Sequence, residues 1–522
     1  MKNRELEATW VYHNATKHSY QSIRTNPHYL DWENQPVPFK IYSKLEPIPL
    51  PQHLSSSGVA ALSAISAMGT QPDSHFVPKI ETLAQILYLS AGITKRKSYP
   101  GGEILFRAAA CTGALYHIDL YLVCGDLPDL AAGVYHFGPH DFALKRLRVG
   151  DYRASLVRAS GEEPAVVNAP AIVICASTYW RNAWKYQARA YRHCFWDNGT
   201  ILANLLAAAA ARNVAARVVA GFVDAAVNQL LSLDTEREGA LALVALGNAS
   251  SKGDGFSPAV QPLAFETVPL SEKEIDYPAI EAMHETSSLE SEREAVDWRS
   301  QASVVSSTGT GSPTFSPASK ERFFALRPRG DDEIPRDTIE EVIQRRGSTR
   351  EFSRESISFK QFSTMLDRAT RGIPTDFLYP EGAPLNDLYL IVHAVEDLSP
   401  GAYVFHRDRL ALELLKEGNF RREAGYLGLG QEIPADCSAD VFFLTDLNMV
   451  LERFGNRGYR AAQLEASVTG GKLYLAAYAQ SLGASGLTFF DDDVTDFFSP
   501  HAAGKSVMFL IALGKSAKRR RR

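Results

Sequence analysis

The chain has 522 residues, of which 45% are hydrophobic and 22% are charged, and its formal net charge is −5. This length exceeds what one hydrophobic core fills, so about two domains of roughly 200 residues each are expected. The composition is that of a globular protein, and the small negative charge argues against a nucleic acid as partner.

Residues 1–78 are rich in aromatic residues and proline, which favours an extended arm packed over a domain. The N-terminus is polar and lacks the apolar core of a signal peptide. The most apolar stretch, Ile201–Ala211, is too short to span a bilayer. We therefore expect a cytoplasmic protein with no membrane partner. The five cysteines lack paired spacing, which indicates reduced thiols and neither disulfides nor a zinc site.

Hydrophobic spacing predicts a short helix within Ser55–Ala67 and another within Glu81–Ala91. Two long helices rich in leucine and alanine are predicted at Tyr191–Arg212 and Tyr459–Leu482, and their composition is typical of buried central helices. Short strands are predicted at Asp119–Cys124, Val134–Phe137, Ala171–Ala176 and Leu241–Leu246. Because strands and helices follow without regular βαβ alternation, the pattern predicts an α+β fold.

A long connection separates the two halves of the chain. It is predicted to contain a helix within Tyr277–Arg299, followed by a flexible stretch at 300–319 that is rich in serine and glycine. The second half then begins with a helical run, Asp337–Arg345, and the chain ends in a basic tail at 518–522. These features predict an arm at 1–78, a first domain at 79–250, a linker at 251–336 and a second domain at 337–522.

The two predicted domains are copies of each other. When the sequence is shifted by 268 positions, Asp119–Asn228 lies on Asp387–Asp496 without a gap. This alignment places Arg189-Ala-Tyr-Arg on Arg457-Gly-Tyr-Arg and Phe222 on Phe490. A repeat this long is a duplicated domain, since solenoid repeats run to about 20–50 residues. We expect the copies to form a pseudo-two-fold pair with the long helices at their interface.

One short motif has the chemistry of a phosphate site. Arg346-Gly-Ser-Thr-Arg350 places two guanidinium groups and a hydroxyl group within five residues, which suits a phosphate monoester. A solvated basic turn is the alternative interpretation. The sequence lacks a dinucleotide-binding glycine motif, a phosphate loop, a His-Glu-x-x-His motif and a Gly-x-Ser-x-Gly motif, and its histidines lack ligand spacing, so no metal is expected.

Taken together, these residues resemble the FMN-dependent nitroreductase superfamily, and within it the tandem members of the SagB-type (thiazole/oxazole oxidase-like) dehydrogenases. The resemblance rests on the Arg346–Arg350 motif and on Gly113-Ala-Leu-Tyr116, Lys185-Tyr186-x-x-Arg189-x-Tyr191-Arg192 and Phe490-Asp-Asp-Asp493. It implies two nitroreductase-like domains, each a mixed sheet flanked by helices. They would form an intramolecular pseudo-dimer with FMN in clefts at the interface. With the pair formed inside one chain, the protein could be a monomer.

The resemblance also implies roles for individual residues. Lys185 and Tyr186 would be the catalytic acid/base pair. The backbone at Phe489 and Phe490 would approach the flavin N5. The other implied cofactor contacts are a phosphate group on Arg346, Ser348 and Arg350, and a covering segment formed by Cys111, Thr112 and Gly113.

The two copies differ at these positions. The second copy has Arg453-Phe454 where the first has Lys185-Tyr186, and the first copy offers only Gln21-Ser-Ile-Arg24 for the phosphate motif. Because such a cleft is shared across the interface, the surviving halves would belong to one cleft, which predicts one competent flavin site. Lys185 needs a lowered pKa to act as a base, and Arg181 and Arg189 would lower it if they shared its helical face. The alternative is that Lys185 and Tyr186 are ordinary surface and core residues.

Three functions remain open at this stage. The first is an FMN-dependent dehydrogenase that oxidises an azoline-type or related ring in a small-molecule or peptide substrate. The second is a nitroreductase or flavin reductase that uses NAD(P)H. The third is a non-catalytic flavin- or peptide-binding scaffold of a modification complex.

Overall fold

The computed structural model describes residues 2–25, 27–53, 55–67, 75–99, 102–249, 257–303, 322–380 and 383–517. The predicted flexible stretch at 300–319 falls mostly outside these ranges, and the basic tail at 518–522 falls entirely outside them. No helix within the ranges has an apolar span long enough to cross a membrane.

The arm and the first copy contain nine helices among the described residues: α1 (Glu7–Ala15), α2 (Tyr20–Thr25), α3 (Ala61–Ser66), α4 (Ile80–Ala91), α5 (Arg153–Ala159), α6 (Pro164–Asn168), α7 (Tyr179–Tyr186), α8 (Ala190–Ala210) and α9 (Asp224–Leu231). Their strands are β1 (Pro47–Pro49), β2 (Ile93–Tyr99), β3 (Gly102–Arg107), β4 (Ile118–Cys124), β5 (Gly133–Gly138), β6 (Ala143–Val149), β7 (Ala171–Thr178), β8 (Ala216–Val219) and β9 (Glu238–Leu246).

The connection and the second copy continue the same order. Their helices are α10 (Pro278–Thr286), α11 (Glu292–Ser300), α12 (Ile339–Arg345), α13 (Phe359–Ala369), α14 (Arg421–Leu427), α15 (Glu432–Asp436), α16 (Leu447–Phe454), α17 (Arg457–Ala479) and α18 (Asp491–Phe498). Their strands are β10 (Phe323–Ala325), β11 (Asp387–Val392), β12 (Gly401–His406), β13 (Ala411–Glu417), β14 (Ala439–Thr445), β15 (Gly483–Leu487) and β16 (Ser506–Gly514). Every helix and strand predicted from the sequence overlaps one of these elements, with two helices where one was predicted in 277–299.

Each copy is built on a seven-stranded sheet, and the α+β fold is confirmed. The strand orders are β1-β6-β5-β4-β7-β9-β8 and β10-β13-β12-β11-β14-β16-β15, which are the same topology. The expected mixed sheet differs from the structure, because the paired strands of both sheets run antiparallel. Hairpins join the middle strands of each sheet, and antiparallel pairing needs no parallel crossover.

The segments before each copy also repeat. β1, from the predicted arm, adds an edge strand to the first sheet by pairing with β6, and β10, from the predicted linker, pairs in the same way with β13. Each edge strand is followed by a short helix, α3 in the first copy and α12 in the second. The arm and the linker therefore each add an edge strand to a sheet, and they do more than pack over the domains.

The central helices α8 and α17 pack against each other through small residues. A Cβ atom on Gly199 would lie 1.9 Å from the Ser467 Oγ, and one on Gly471 would lie 2.6 Å from the Ala203 Cβ. Each pair joins a position of the first copy to the position 268 residues later in the second. Contacts between such equivalent positions occur only at a symmetry axis, so the pseudo-two-fold axis passes through this glycine contact, and the predicted internal pair is confirmed.

The repeat is not gapless to its end. The shift between equivalent elements is 268 residues for β5 with β12 and for β7 with β14, but 267 residues between the starts of β8 and β15 and of α9 and α18. Phe222 therefore corresponds to Phe489 and not, as predicted, to Phe490. Both rings lie under an equivalent arginine, Arg457 at 4.6 Å and Arg189 at 5.3 Å. The cause is one residue lost between the long helix and the next strand of the second copy.

Two arginines at the start of α8, Arg189 just before the helix and Arg192 within it, bind a carboxylate of the second copy. The Arg189 and Arg192 guanidinium groups lie 2.9 and 2.6 Å from the Asp491 carboxylate, and all three side chains are buried. Burial by itself would raise the pKa of Asp491, but the two arginines outweigh it and lower the pKa to about 2. Asp491 is the first residue of α18, where the helix dipole also favours a negative charge.

The same arrangement is repeated in the opposite direction. Arg457 and Arg460 of α17 lie 2.6 and 2.7 Å from the carboxylate of Asp224, the first residue of α9. Burial raises the pKa of Asp224, and the two arginines overcome this and lower it. We call these two groups the reciprocal arginine–aspartate clusters. They join the end of each central helix to the opposite copy.

We predict that Asp491→Asn lowers the free energy of unfolding by about 3–5 kcal/mol, because it leaves two buried arginines without their carboxylate. Urea unfolding monitored by circular dichroism measures this loss. The adjacent Asp492 is largely exposed and pairs with Lys17, so Asp492→Asn is a matched control that should cost less than about 1 kcal/mol. Equal losses in the two variants would contradict a stabilising role for the cluster.

Candidate functional site

A cavity of about 350 Å³ lies between the two copies. The first copy lines it with the loop 110–113, the end of α7 and one side of α8. The second copy contributes residues after α12, a tyrosine of α17 and the strand end at 485–488. The volume falls within the range of small-molecule and cofactor sites. The cavity therefore exists only because the copies are paired.

Seven of the ten residues predicted for the site line this cavity. They are Cys111, Thr112, Gly113, Lys185 and Tyr186 from the first copy, and Ser348 and Arg350 from the second. The covering segment, the candidate acid/base pair and two of the three candidate phosphate ligands thus meet in one place. Arg346, Phe489 and Phe490 are not among the lining residues.

Arg346 has another use in this structure. Its guanidinium group donates hydrogen bonds to the Ala108 carbonyl at 2.9 Å and the Arg107 carbonyl at 3.2 Å. These carbonyls precede the covering loop of the first copy. Arg346 therefore ties the second copy to that loop, while Ser348 and Arg350, further along, line the cavity.

The loop carrying Ser348 is positioned from both sides. Before it, Thr338 and Glu341 form a reciprocal cap at the start of α12, which ends at Arg345. After it, the Ser348 hydroxyl lies 3.2 Å from the Tyr474 hydroxyl, which also accepts a hydrogen bond from the Gly486 N–H. Tyr474 thus connects the candidate phosphate loop to the strand end that lines the cavity.

The cavity-lining backbone lies just before the predicted pair of phenylalanines. Phe489 is fully buried against Trp196, with the ring centres 5.7 Å apart, and Phe490 packs its ring on Tyr426. The lining residues are Ser485, Gly486, Leu487 and Thr488. The family resemblance implied Phe489 and Phe490 for this backbone, and these residues directly follow the ones that line the cavity.

Lys185 and Tyr186 end α7 at the cavity wall. Partial burial, together with the Arg350 cation, lowers the pKa of Lys185. The predicted neighbours do not cause this, because Arg181 pairs with buried Asp119 and Arg189 with Asp491. Burial raises the pKa of the Tyr186 hydroxyl above its usual value. Lys185 is thus easier to deprotonate than a free lysine, and Tyr186 keeps its proton.

The covering loop approaches Tyr186 at a glycine. Gly113 has a φ of +62°, and a Cβ atom there would lie 3.0 Å from the Tyr186 hydroxyl oxygen. Only glycine adopts this conformation without strain and leaves that space free. The loop therefore packs directly over the tyrosine.

Asp197 of α8 holds the covering loop in place, and the sequence interpretation missed it. Its carboxylate accepts hydrogen bonds from the Thr112 N–H at 2.9 Å and the Thr112 hydroxyl at 2.8 Å. The Cys111 thiol and the His117 Nε2 also lie 3.0 and 2.9 Å from it. The available signal was an aspartate inside the buried helix, because a buried carboxylate needs several donors.

The equivalent cleft on the other side of the pseudo-two-fold axis is filled by side chains of the protein itself. The Asp376 carboxylate accepts hydrogen bonds from the Ala220 and Gly221 N–H groups, both at 2.8 Å. With the 267-residue shift, these amides correspond to Leu487 and Thr488, which line the open cavity. In the filled cleft, the Asp376 carboxylate thus occupies the position that is empty space next to Leu487 and Thr488 in the open cavity.

Trp298 of α11 fills the rest of that cleft. Its indole packs on Phe454, the counterpart of Tyr186, with ring centres 5.5 Å apart, and donates a hydrogen bond to the Phe454 carbonyl at 2.9 Å. Arg453, the counterpart of Lys185, donates hydrogen bonds to the Gln301 and Ala302 carbonyls. The counterparts of Lys185 and Tyr186 thus serve hydrogen bonding and packing within the protein on this side.

The segment of the first copy that was predicted as the counterpart of the phosphate motif was the wrong one. Gln21–Arg24 lie in α2, whereas the counterpart of α12 is α3, so the equivalent of Arg346–Arg350 begins just after Ser66. Residues 68–74 lie outside the described ranges, but the sequence from Ala61 to Pro78 contains neither lysine nor arginine. The correction leaves the first copy without the motif.

Side chains with metal-binding chemistry meet at one place among the described residues, away from the cavity. His393, Cys437 and Asp440 are buried with their ligand atoms within 4.8 Å of one another. The His393 Nε2 lies 3.1 Å from an Asp440 oxygen, so a hydrogen bond accounts for this contact. A closed structural zinc site uses four protein ligands, one more than this group offers.

Comparison with known proteins gives a consistent result. The model of the nitroreductase family matches residues 80–248 and 343–515, one match in each copy. A Methanocaldococcus jannaschii protein named as a candidate nitroreductase is 23% identical over 154 residues, which are 30% of this chain and 74% of that protein.

Two solved structures are also similar to this chain. A candidate nitroreductase from Anabaena variabilis is 25% identical, with a TM-score of 0.74 over 98% of this chain and 99% of its own. A chain of the Escherichia coli microcin synthetase McbBCD complex with truncated pro-MccB17 bound is 19% identical, with a TM-score of 0.31, over 47% of this chain and 94% of its own. The tandem arrangement is thus found along the full length of the first of these structures.

The filled cleft should give the protein a pH-dependent stability. Burial raises the pKa of Asp376 to about 6, above the value of about 3.9 expected in the unfolded chain. The folded state then binds more protons between these values, so the free energy of unfolding should fall as pH rises from about 4 to 6. Asp376→Asn should flatten this slope, measured by urea unfolding across the window. The exposed control Asp129→Asn should leave it unchanged, and an unchanged slope in Asp376→Asn would contradict the assignment.

Proposed function

The chain belongs to the nitroreductase family of oxidoreductases, and we propose that it is an FMN-dependent enzyme that binds one flavin in the cavity between its two copies. The observation that carries this proposal is the contrast between the clefts. One is open and lined by a cation, hydroxyl groups and aromatic rings, and the other is filled by Trp298 and Asp376.

The residues of the open cavity fit both the phosphate group and the ring of FMN. Arg350 is exposed at the cavity and, with the Ser348 hydroxyl, supplies the charge-assisted and neutral hydrogen bonds that a phosphate monoester needs. For the ring, Leu487 and Thr488 are the counterparts of the residues whose amides hold the Asp376 carboxylate. Amides in this position suit the acceptor atoms of a flavin ring. The Thr488 hydroxyl is buried without a partner among the described residues and is a further group for a ligand.

Bound FMN supplies the two-electron chemistry of the reaction, and the protein supplies position and proton transfer. Lys185, with its lowered pKa, accepts a proton from the substrate more readily than an ordinary lysine would. Tyr186 keeps its hydroxyl proton and can orient or relay it. This arrangement supports a dehydrogenase acting on an azoline-type or related ring in a small molecule or peptide, as in the SagB-type enzymes that the sequence resembles.

A second candidate is an NAD(P)H-dependent nitroreductase or flavin reductase. The size and openness of the cavity favour it, and such a reaction needs no acid/base pair because the hydride moves directly to the flavin. A third, non-catalytic role as a scaffold requires no flavin turnover. Rapid bleaching of the purified yellow protein by NADPH would favour the reductase, whereas a colourless protein would favour the scaffold.

We predict that the purified protein binds one FMN per chain and that Arg350→Ala loses most of it. Removing a hydrogen bond to a charged group costs about 1.5–3 kcal/mol, which is about 10- to 150-fold in affinity. Fluorescence titration with FMN measures both quantities. Arg354 is exposed and pairs with Asp436, so Arg354→Ala is a control that should bind FMN normally. Two flavins per chain, or undiminished binding by Arg350→Ala, would count against the proposal.

We predict that Lys185→Ala and Tyr186→Phe retain FMN but oxidise a thiazoline-bearing model peptide about 10²- to 10⁴-fold more slowly. Because the pKa of Lys185 is lowered, the wild-type rate should rise with pH as the amine loses its proton, and Lys185→Ala should lose this dependence. Stopped-flow absorbance of the flavin follows both effects. Arg453→Ala, at the counterpart position in the other cleft, should keep the wild-type rate. An equal loss of rate in this variant would show that the proposal places the chemistry in the wrong cleft.

A further inference from the structure

His193 lines the open cavity, and the proposed chemistry does not use it. It lies on α8 between two aromatic rings. The Tyr186 ring stands nearly perpendicular to it at 4.4 Å, and the Trp196 ring is tilted against it at 4.7 Å. The imidazole is therefore held in one orientation and is almost wholly shielded from water.

A chain of hydrogen bonds determines which ring nitrogen of His193 carries the proton. The Thr112 hydroxyl donates to the Asp197 carboxylate at 2.8 Å, so its oxygen is left to accept from the Asn182 amide nitrogen at 2.7 Å. The Asn182 amide oxygen is then the atom that faces the His193 Nδ1, at 2.8 Å. An amide oxygen only accepts, so Nδ1 carries the proton and Nε2 is left with a lone pair.

The lone pair of this Nε2 has no partner among the described residues. An unsatisfied buried acceptor is unfavourable by about 1–3 kcal/mol, so a bound donor would be favoured at this point. The imidazole also stays neutral. Burial lowers its pKa well below the usual value, and Arg189, His117, His18 and Arg192 around it act in the same direction. Protonation therefore does not convert the acceptor into a donor.

We infer that His193 is a binding residue whose Nε2 accepts a hydrogen bond from the N–H group of the flavin ring in this cavity. The oxidised isoalloxazine has one ring N–H, flanked by two carbonyl groups. The cavity lining includes an acceptor of this kind on His193, and the backbone of Leu487 and Thr488, whose counterparts donate to Asp376, would serve the carbonyl groups. This inference rests on the proposed function.

The second copy lacks the polar residues of this hydrogen-bond chain, which supports the role inferred for His193. The counterparts of Asn182 and His193 are Val450 and Ala461, and both are buried apolar residues. The polar chain thus exists beside the open cavity and not beside the cleft that Trp298 fills. Asn182 and Thr112 act through His193 and are positioning residues.

The tautomer can be tested without any flavin. In full-length protein with isotope-labelled histidine, nitrogen NMR should show His193 protonated at Nδ1 and bare at Nε2 between about pH 6 and 8. Thr112→Val breaks the chain and should give a mixture of tautomers, whereas Thr112→Ser keeps the hydroxyl and should preserve the wild-type signal. A proton on Nε2 in the wild-type protein would overturn the inference.

The donor can be tested with two cofactors, FMN and 3-methyl-FMN, which lacks the ring N–H. The wild-type protein should bind FMN roughly tenfold or more tightly than the methylated form. His193→Phe keeps an aromatic ring between Tyr186 and Trp196 and should bind both equally, with thermal unfolding confirming that it is folded. If the wild-type protein binds both cofactors equally, the inference is overturned while the proposed function stands. If it binds neither, both fail.

Discussion

The architecture depends on the contact between the two central helices and the reciprocal arginine–aspartate clusters beside it. Each long helix contributes two buried arginines to a carboxylate at the start of a helix in the opposite copy, Asp491 or Asp224. Burying these charges is unfavourable unless they meet in good geometry. A shift of either helix would leave charges unpaired in the interior. The clusters therefore specify the register of the two copies, and the glycines at the axis allow the helices to approach closely enough to form them.

This symmetric arrangement carries two clefts that are not symmetric. In one, the covering loop, Lys185 and Tyr186 from the first copy face Ser348 and Arg350 from the second. In the other, the same positions of the fold are used for packing, and the helix of the connection supplies a tryptophan to fill the space. Duplication thus provides two equivalent places, and side-chain divergence leaves one as an open cavity and makes the other part of the core. A site shared across an interface allows this, because each cleft takes half of its residues from each copy.

The polar groups of the open cleft form a connected system. Arg346 fastens the second copy to the backbone before the covering loop, and Asp197 holds the loop from the side of the helix. Tyr474 connects the candidate phosphate loop to the strand end that faces the cavity. None of these three residues needs to touch a ligand to matter. They hold the cavity lining in place, which is the role that supporting residues have around most binding sites.

The sequence alone determined the duplication, the α+β class, and the helices and strands. Local hydrophobic spacing and a repeat that preserves glycine and aromatic positions carry that information. The family resemblance added the expectation that Lys185 and Tyr186 lie in one cleft with Ser348 and Arg350, and all four line the same cavity. The tertiary structure alone decided the use of Arg346, the one-residue change of register before Phe489, the role of Asp197, and the filling of the second cleft by Trp298 and Asp376. These depend on contacts between residues far apart in the chain. Whether a guanidinium group binds a ligand or a carbonyl is decided by which groups the packed fold places within hydrogen-bonding distance, and side-chain identity does not encode that distance.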